Sequence, residues 1–271
     1  MNVRLACCVS GGGATSPKAF ERYLPKKDNP PALLVSYVYL KKFLENKSRY
    51  HYRDWVLDSG AFSAFNSGTE IKLQDYVDTA KQLQVSDQTL TEVFALDVIG
   101  DWKSSLKNTE EMWKQGVNAI PCYHIGEPES VLKGIAKDYP KIALGGVALL
   151  KGSIKLRFAQ QCFARVWPCK IHGFGYATES TVLGVPWHSV DATNWEIGPC
   201  KYGRWKAFGK MSVRGSQLNL NAEIDWYLGL ERRARVKWAK EMSELDKTDH
   251  APTVRLAEVS REGADNKSSL I

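Results

Sequence analysis

Trp55-Val56-Leu57-Asp58-Ser59-Gly60-Ala61-Phe62 sets a short apolar run directly against a carboxylate and a turn of small residues. An apolar run without polar alternation suits a strand covered on both faces. The small turn leaves Asp58 at the mouth of that strand, with room for a flat ligand to approach the backbone. The pattern recurs. Phe94-Ala-Leu-Asp97 ends a second strand in an acid, and His188-Ser-Val-Asp191 a third. Three acids at the carboxyl ends of three strands predict one shared site in a parallel α/β barrel.

Working outward, candidate strands cover residues 5–9, 32–37, 55–58, 93–97, 119–124, 142–147, 170–175 and 189–191. Helical patterns separate them, most cleanly over 73–83 and 152–166. In the latter, Ile154, Leu156, Phe158, Phe163 and Val166 repeat near the 3.6 period after a start signal at Ser153. Eight strand–helix alternations predict a (β/α)8 TIM barrel, whose usual length is about 250 residues. A doubly wound open sheet is the competing arrangement. The expected layout is a single catalytic domain over 1–245, with a basic insertion at 195–220, a C-terminal helix at 221–244 and a flexible tail at 246–271.

The composition sets outer bounds. The chain has 271 residues, 44% hydrophobic and 25% charged, which is ordinary for a soluble globular protein. No apolar run approaches the roughly 20 residues of a membrane span. The apolar run after Arg4 soon meets Gly11-Gly12-Gly13, so no signal peptide and a cytoplasmic setting are expected. The net charge of +7 fits a polyanionic partner without requiring one. Six cysteines stand at 7, 8, 122, 162, 169 and 200, with no C-x-C or C-x-x-C pair. Structural zinc usually draws ligands from such pairs, so neither zinc nor any other metal is expected. Gly11–Gly13 lacks the lysine and spacing of a phosphate loop and reads as a plain loop.

At a strand end a carboxylate can attack an electrophilic carbon, carry a proton, or accept paired N–H bonds from a heterocycle. Taken singly, each Asp could equally be a helix cap. Leu144-Gly145-Gly146-Val147 offers backbone N–H groups to a carbonyl oxygen. Lys170-Ile-His172-Gly173 and Tyr123-His124-Ile125 supply further polar strand ends. Each of these has a bland alternative, tight packing for the glycines and a structural role for the histidines.

The ordered set Asp58-Ser-Gly-Ala-Phe62, Ala95-Leu-Asp97, Leu144-Gly-Gly-Val147, His172-Gly-Phe-Gly175 and Ser189-Val-Asp191 resembles the tRNA-guanine transglycosylases. It resembles more closely their DNA-modifying relatives, which install 7-deazaguanines in DNA in phages and bacterial gene clusters. The resemblance spans roughly residues 55–195. It implies exchange of guanine for a free 7-deazaguanine base, preQ0- or preQ1-like, through a covalent sugar–enzyme intermediate. Asp191 matches the family's nucleophile, Asp58 its proton-transferring acid and Asp97 the reader of the base's N–H edge. Gly145 and Gly146 match the backbone that contacts the base carbonyl. Ser59, His124, His172 and Gly173 complete the expected base pocket. No cofactor is implied.

Two departures stand out. The tRNA enzymes' C-x-C-x-x-C zinc module is missing, and His124-Ile125 stands where they have a glutamine. A basic, aromatic segment replaces the module. Lys201, Arg204, Lys206, Lys210 and Arg214, with Arg232, Arg233 and Arg235 of the last helix, are expected to contact DNA phosphates. Trp205 and Phe208 are candidates for stacking on a base. A tRNA substrate, a barrel that binds nucleic acid without catalysis, and an unrelated carboxylate hydrolase are the alternative readings.

Overall fold

The computed structural model describes residues 1–6, 29–49, 51–209 and 220–247. Nine strand segments, all parallel, make one sheet: β1 (Asn2–Ala6), β2 (Ala32–Ser36), β3 (Trp55–Asp58), β4 (Leu90–Phe94), β5 (Ala119–Ile120), β6 (Cys122–His124), β7 (Lys141–Gly145), β8 (Lys170–Gly173) and β9 (Ser189–Ala192). Their order is β5-β4-β3-β2-β1-β9-β8-β7-β6. β5 and β6 are halves of one stave, parted only by Pro121, which has no N–H to donate. Ala95 N donates to Ile120 O at 2.9 Å and Ala143 N to Pro121 O at 2.8 Å, so this stave joins both neighbours. The ring has eight positions, and the sheet is an α/β barrel.

Helices α1 (Leu40–Asn46), α2 (Ala61–Ser67), α3 (Leu73–Ser86), α4 (Trp102–Lys114), α5 (Glu129–Asp138), α6 (Gly152–Val166) and α7 (Glu179–Val182) lie between the strands. α8 (Asn194–Tyr202), α9 (Leu220–Lys237) and α10 (Ala239–Lys247) follow the last strand. The main core lies between strands and helices, where Leu33, Trp55, Leu57, Met112, Leu144 and Trp195 are almost wholly buried. Full burial of one such side chain contributes about 1.5–3 kcal/mol.

Side chains alternate along a strand, so every second residue points into the barrel. Ala6, Leu34, Val56, Phe94, Ile120, Cys122 and Ala143 form a separate apolar cluster there. Two residues earlier on the same strands stand Arg4, Asp54, Glu92 and Lys141, a charged floor. Arg4 Nη1 meets Asp54 Oδ1 at 2.5 Å, and Lys141 Nζ meets Glu92 at 2.6 and 2.7 Å. Burial pulls the Lys141 ammonium down to about 8 against the pull of Glu92. Two residues later stand Ser36, Asp58, His124 and Gly145. The same alternation carries β9 from Ser189, which touches Lys141 and His172, to Asp191 at the rim.

Several expected boundaries shift. β1 begins at Asn2, not at Leu5, and β4 runs from Leu90 to Phe94, so Asp97 stands three residues beyond its strand. The 195–220 segment, expected to be a hairpin or an irregular basic insertion, opens with helix α8, and residues 210–219 lie outside the description. The single long helix expected at 221–244 is two, separated at Trp238. Ser153 caps nothing; Lys151 holds the N-cap position of α6. The 246–271 tail is described only as far as Lys247, inside α10. Gly11–Gly13, Cys7 and Cys8 also lie outside the described residues. No described helix is long and apolar enough to cross a membrane.

Candidate functional site

Asp58, Asp97 and Asp191 gather at the carboxyl rim of the barrel, as their strand ends require. Asp58 is the last residue of β3, and its Oδ2 accepts the Gly60 N–H at 3.2 Å. That turn needs glycine. Gly60 has φ +75°, and a Cβ there would lie 2.6 Å from Ser36 Oγ and 2.9 Å from Val38 Cγ2. Burial, then the charges of Asp191 and Asp97, push the Asp58 carboxyl up to about 7. Burial also raises Asp191, to about 6, although its Oδ1 accepts the Gly175 N–H at 2.6 Å. Asp97 is raised as well, by burial, with a hydrogen bond to His124 opposing. Asp58 therefore sits in the field of the other two acids. Burial thus holds both Asp58 and Asp191 above the ordinary carboxylate range, and the pair retains a proton toward neutral pH.

A polar path climbs the barrel to Asp191. Glu92 holds Lys141, Lys141 Nζ reaches Ser189 Oγ at 3.4 Å, and Ser189 Oγ meets His172 Nδ1 at 2.9 Å. His172 Nε2 lies 3.9 Å from Asp191 Oδ1. His172 is fully buried against Phe94 and Phe174, and burial with the nearby Lys141 and Arg4 charges keeps it neutral. It stands below Asp191, inside the barrel, and does not line the mouth. Gly173 is a packing glycine: a Cβ would meet the Trp187 ring at 2.7 Å. Ser59 is buried behind the turn, its Oγ 3.5 Å from the Ala61 N–H. Gly145 is buried at the end of β7, and Gly146 is exposed just beyond it.

His124 does reach the acids. Its Nε2 lies 3.4 Å from Asp97 Oδ2, and its Nδ1 lies 3.0 Å from Glu127 Oε1. Glu127 Oε2 also accepts the His124 backbone N–H at 3.0 Å. The Cys122 sulfur, then the bonds to Asp97 and Glu127, raise the His124 imidazole against the effect of burial. Burial pushes the Cys122 thiol up to about 11. Donor atoms of Asp97, Cys122 and His124 all lie within 4.8 Å of one another.

Cys122, Glu127 and Lys155 escape the sequence reading. Cysteine spacing along the chain reveals Cys-Cys pairs, whereas Cys122-x-His124 is an alternate pair on one strand, completed by an acid from the neighbouring stave. Lys155, near the start of α6, donates to Gly175 O at 3.1 Å. It contributes positive charge near Asp191. No spacing rule ties it to the strand ends.

The basic residues divide. Arg204 is exposed. Lys206 is turned inward, its Nζ donating to Ala177 O at 3.2 Å and lying 4.9 Å from the Trp226 ring. Trp205 is buried core, only 3% exposed, while Phe208 beside it is exposed. Arg232 is exposed, and Arg233 is paired with Glu179. Arg235 donates to Met1 O at 2.8 Å and Asn2 Oδ1 at 2.7 Å. Asn2 starts β1, so Arg235 clamps the barrel end opposite the acids. Lys201 lies in α8, and Lys210 and Arg214 lie outside the described residues.

The chain matches no protein-family model, and no curated protein matches it.

Proposed function

We propose that the chain exchanges guanine in DNA for a free 7-deazaguanine base. The observation that carries this reading is the pair of acids at one rim, Asp58 and Asp191, both raised by burial and close enough that the Asp191 charge raises Asp58. Two such acids can divide the labour of displacement at a sugar carbon. The Asp191 carboxylate attacks C1′ and the C1′–N9 bond to guanine breaks. The departing purine takes the Asp58 proton on a ring nitrogen. The covalent ester is then opened by the incoming base: its N9 attacks C1′, its N9 proton passes to Asp58, and Asp191 leaves as the carboxylate. Protons and charges balance over the cycle without a redox partner.

Asp97 and His124, 3.4 Å apart at the rim, supply an acceptor edge and a donor for a purine-like ring. The ordered motifs along the chain support the same assignment. The target nucleotide has to leave the base stack, at a cost of a few kcal/mol. Exposed Arg204 and Arg232 are available for phosphate contacts that offset it.

The test is release of labelled guanine from guanine-containing DNA in the presence of candidate 7-deazaguanines, with transfer RNA as the parallel substrate. Asp191→Ala is expected to abolish release while leaving DNA binding intact. Undiminished release by that variant would refute the nucleophile assignment. Label moving into transfer RNA but not DNA would refute the choice of DNA.

A further inference from the structure

Two alternate residues of β6, Cys122 and His124, send their side chains toward the same interior space. Asp97, three residues past β4, enters from the adjacent stave. Their donor atoms fall within 4.8 Å of one another, and Nε2 of His124 is 3.4 Å from Oδ2 of Asp97. Tetrahedral zinc, with bonds of about 2.0–2.1 Å to nitrogen and oxygen, holds two such ligands about 3.3–3.4 Å apart.

The surroundings fit the same assignment. Glu127 engages His124 Nδ1 at 3.0 Å. A carboxylate accepting the Nδ1–H bond fixes the ring so that Nε2 is the nitrogen that exchanges its proton for a metal, the arrangement that orients metal-bound histidines. Gly145 faces the trio without a side chain. A Cβ would stand 2.9 Å from Cys122 Sγ and 3.2 Å from His124 Nε2, so the glycine keeps the space beside these donors open. One thiolate, one imidazole and one carboxylate form a borderline-soft set that suits zinc and not magnesium or calcium. Three protein ligands also leave a fourth position free, the pattern of reactive rather than purely structural zinc.

We propose that Asp97, Cys122 and His124 bind one Zn2+, with Glu127 orienting His124 and the fourth position taking water or a nitrogen or oxygen of a heterocycle in the hollow. Binding replaces the Cys122 thiol proton and the His124 Nε2 proton with the metal and releases both to solvent. Asp58 and Asp191 stay free for the exchange, and with the metal bound a base meets its fourth position in place of the direct contacts with Asp97 and His124.

The experiment uses the full chain, stripped with a chelator and titrated with Co2+ in the absence of nucleic acid and base, so its outcome does not depend on exchange activity. One equivalent of Co2+ is expected to give the visible absorption of a tetrahedral ion and a near-ultraviolet thiolate-to-metal band, both removed by one equivalent of Zn2+. Cys122→Ser is expected to lose the thiolate band. Glu127→Gln is expected to keep the spectrum and bind about 10–100-fold more weakly. Circular dichroism identifies the folded variants; should Cys122→Ser not fold, His124→Gln takes its place, with loss of the tetrahedral spectrum expected. No stoichiometric tetrahedral spectrum in the parent chain, or a thiolate band that survives in folded Cys122→Ser, would overturn the site. So would an unchanged tetrahedral spectrum in His124→Gln.

Discussion

Replacing Asp58 with asparagine should make the protein more stable, and only above a certain pH. The rise of this carboxyl from 3.8 to about 7 means that ionisation is opposed by burial and by Asp191 and Asp97. At about 1.4 kcal/mol per pH unit that rise converts to about 4 kcal/mol. The carboxylate is only partly buried, and solvent screening reduces the figure to about 2 kcal/mol. The sign follows from proton binding. Between pH 4 and 7 the folded state holds a proton that the unfolded state releases, so wild-type stability falls as pH rises through this window. Asparagine keeps an acceptor for the Gly60 N–H and carries no charge. Urea unfolding should therefore show Asp58→Asn and wild type nearly equal at pH 4, with the variant about 2 kcal/mol more stable at pH 8. A variant less stable than wild type at pH 8, or a gap that does not change with pH, would refute the picture of a strained anion.

The same pair sets a pH profile for exchange. Asp191 has to lose its proton, around pH 6, and Asp58 has to keep its own, up to about pH 7. Initial rates should trace a narrow bell with its maximum between these values, which belong to the coupled pair as a whole. Gly60→Ala should lower stability by about 2–3 kcal/mol in urea unfolding, from the left-handed backbone and the contact with Ser36 together. Activity should fall with it, because Asp58 hangs on that turn. Arg204→Ala should reduce the salt dependence of DNA binding by about one ion. Arg235→Ala should leave that slope unchanged, because its guanidinium serves Met1 and Asn2 at the far end of the barrel.

Much of this architecture is legible in the chain because parallel strands buried on both faces write themselves as unbroken apolar runs. Trp55–Asp58 is such a run, and the strand ends where its acid appears. Asp97 is harder to place, since Ala95 and Leu96 are as apolar as the strand before them and continue the run past its end. The charged floor is not legible in the chain. Arg4, Glu92 and Lys141 sit in runs whose meaning depends on which neighbours the register brings beside them. Nor does composition separate a clamp from a contact. Arg204 and Arg235 look alike in the chain, but one faces solvent and the other holds the N-terminal edge of β1. The break at Trp238 carries no proline or glycine to announce it.

Pro121 has an effect wider than one absent rung. It cuts the fifth stave between the piece packed against the floor and the piece bearing Cys122 and His124, so the upper piece is oriented mainly by its bonds to β7 and by Glu127. Ligand preference can thus be regrafted on three residues without disturbing the foundation of the cylinder. An engineer seeking a different guest in the hollow would begin above that proline and leave everything beneath it alone.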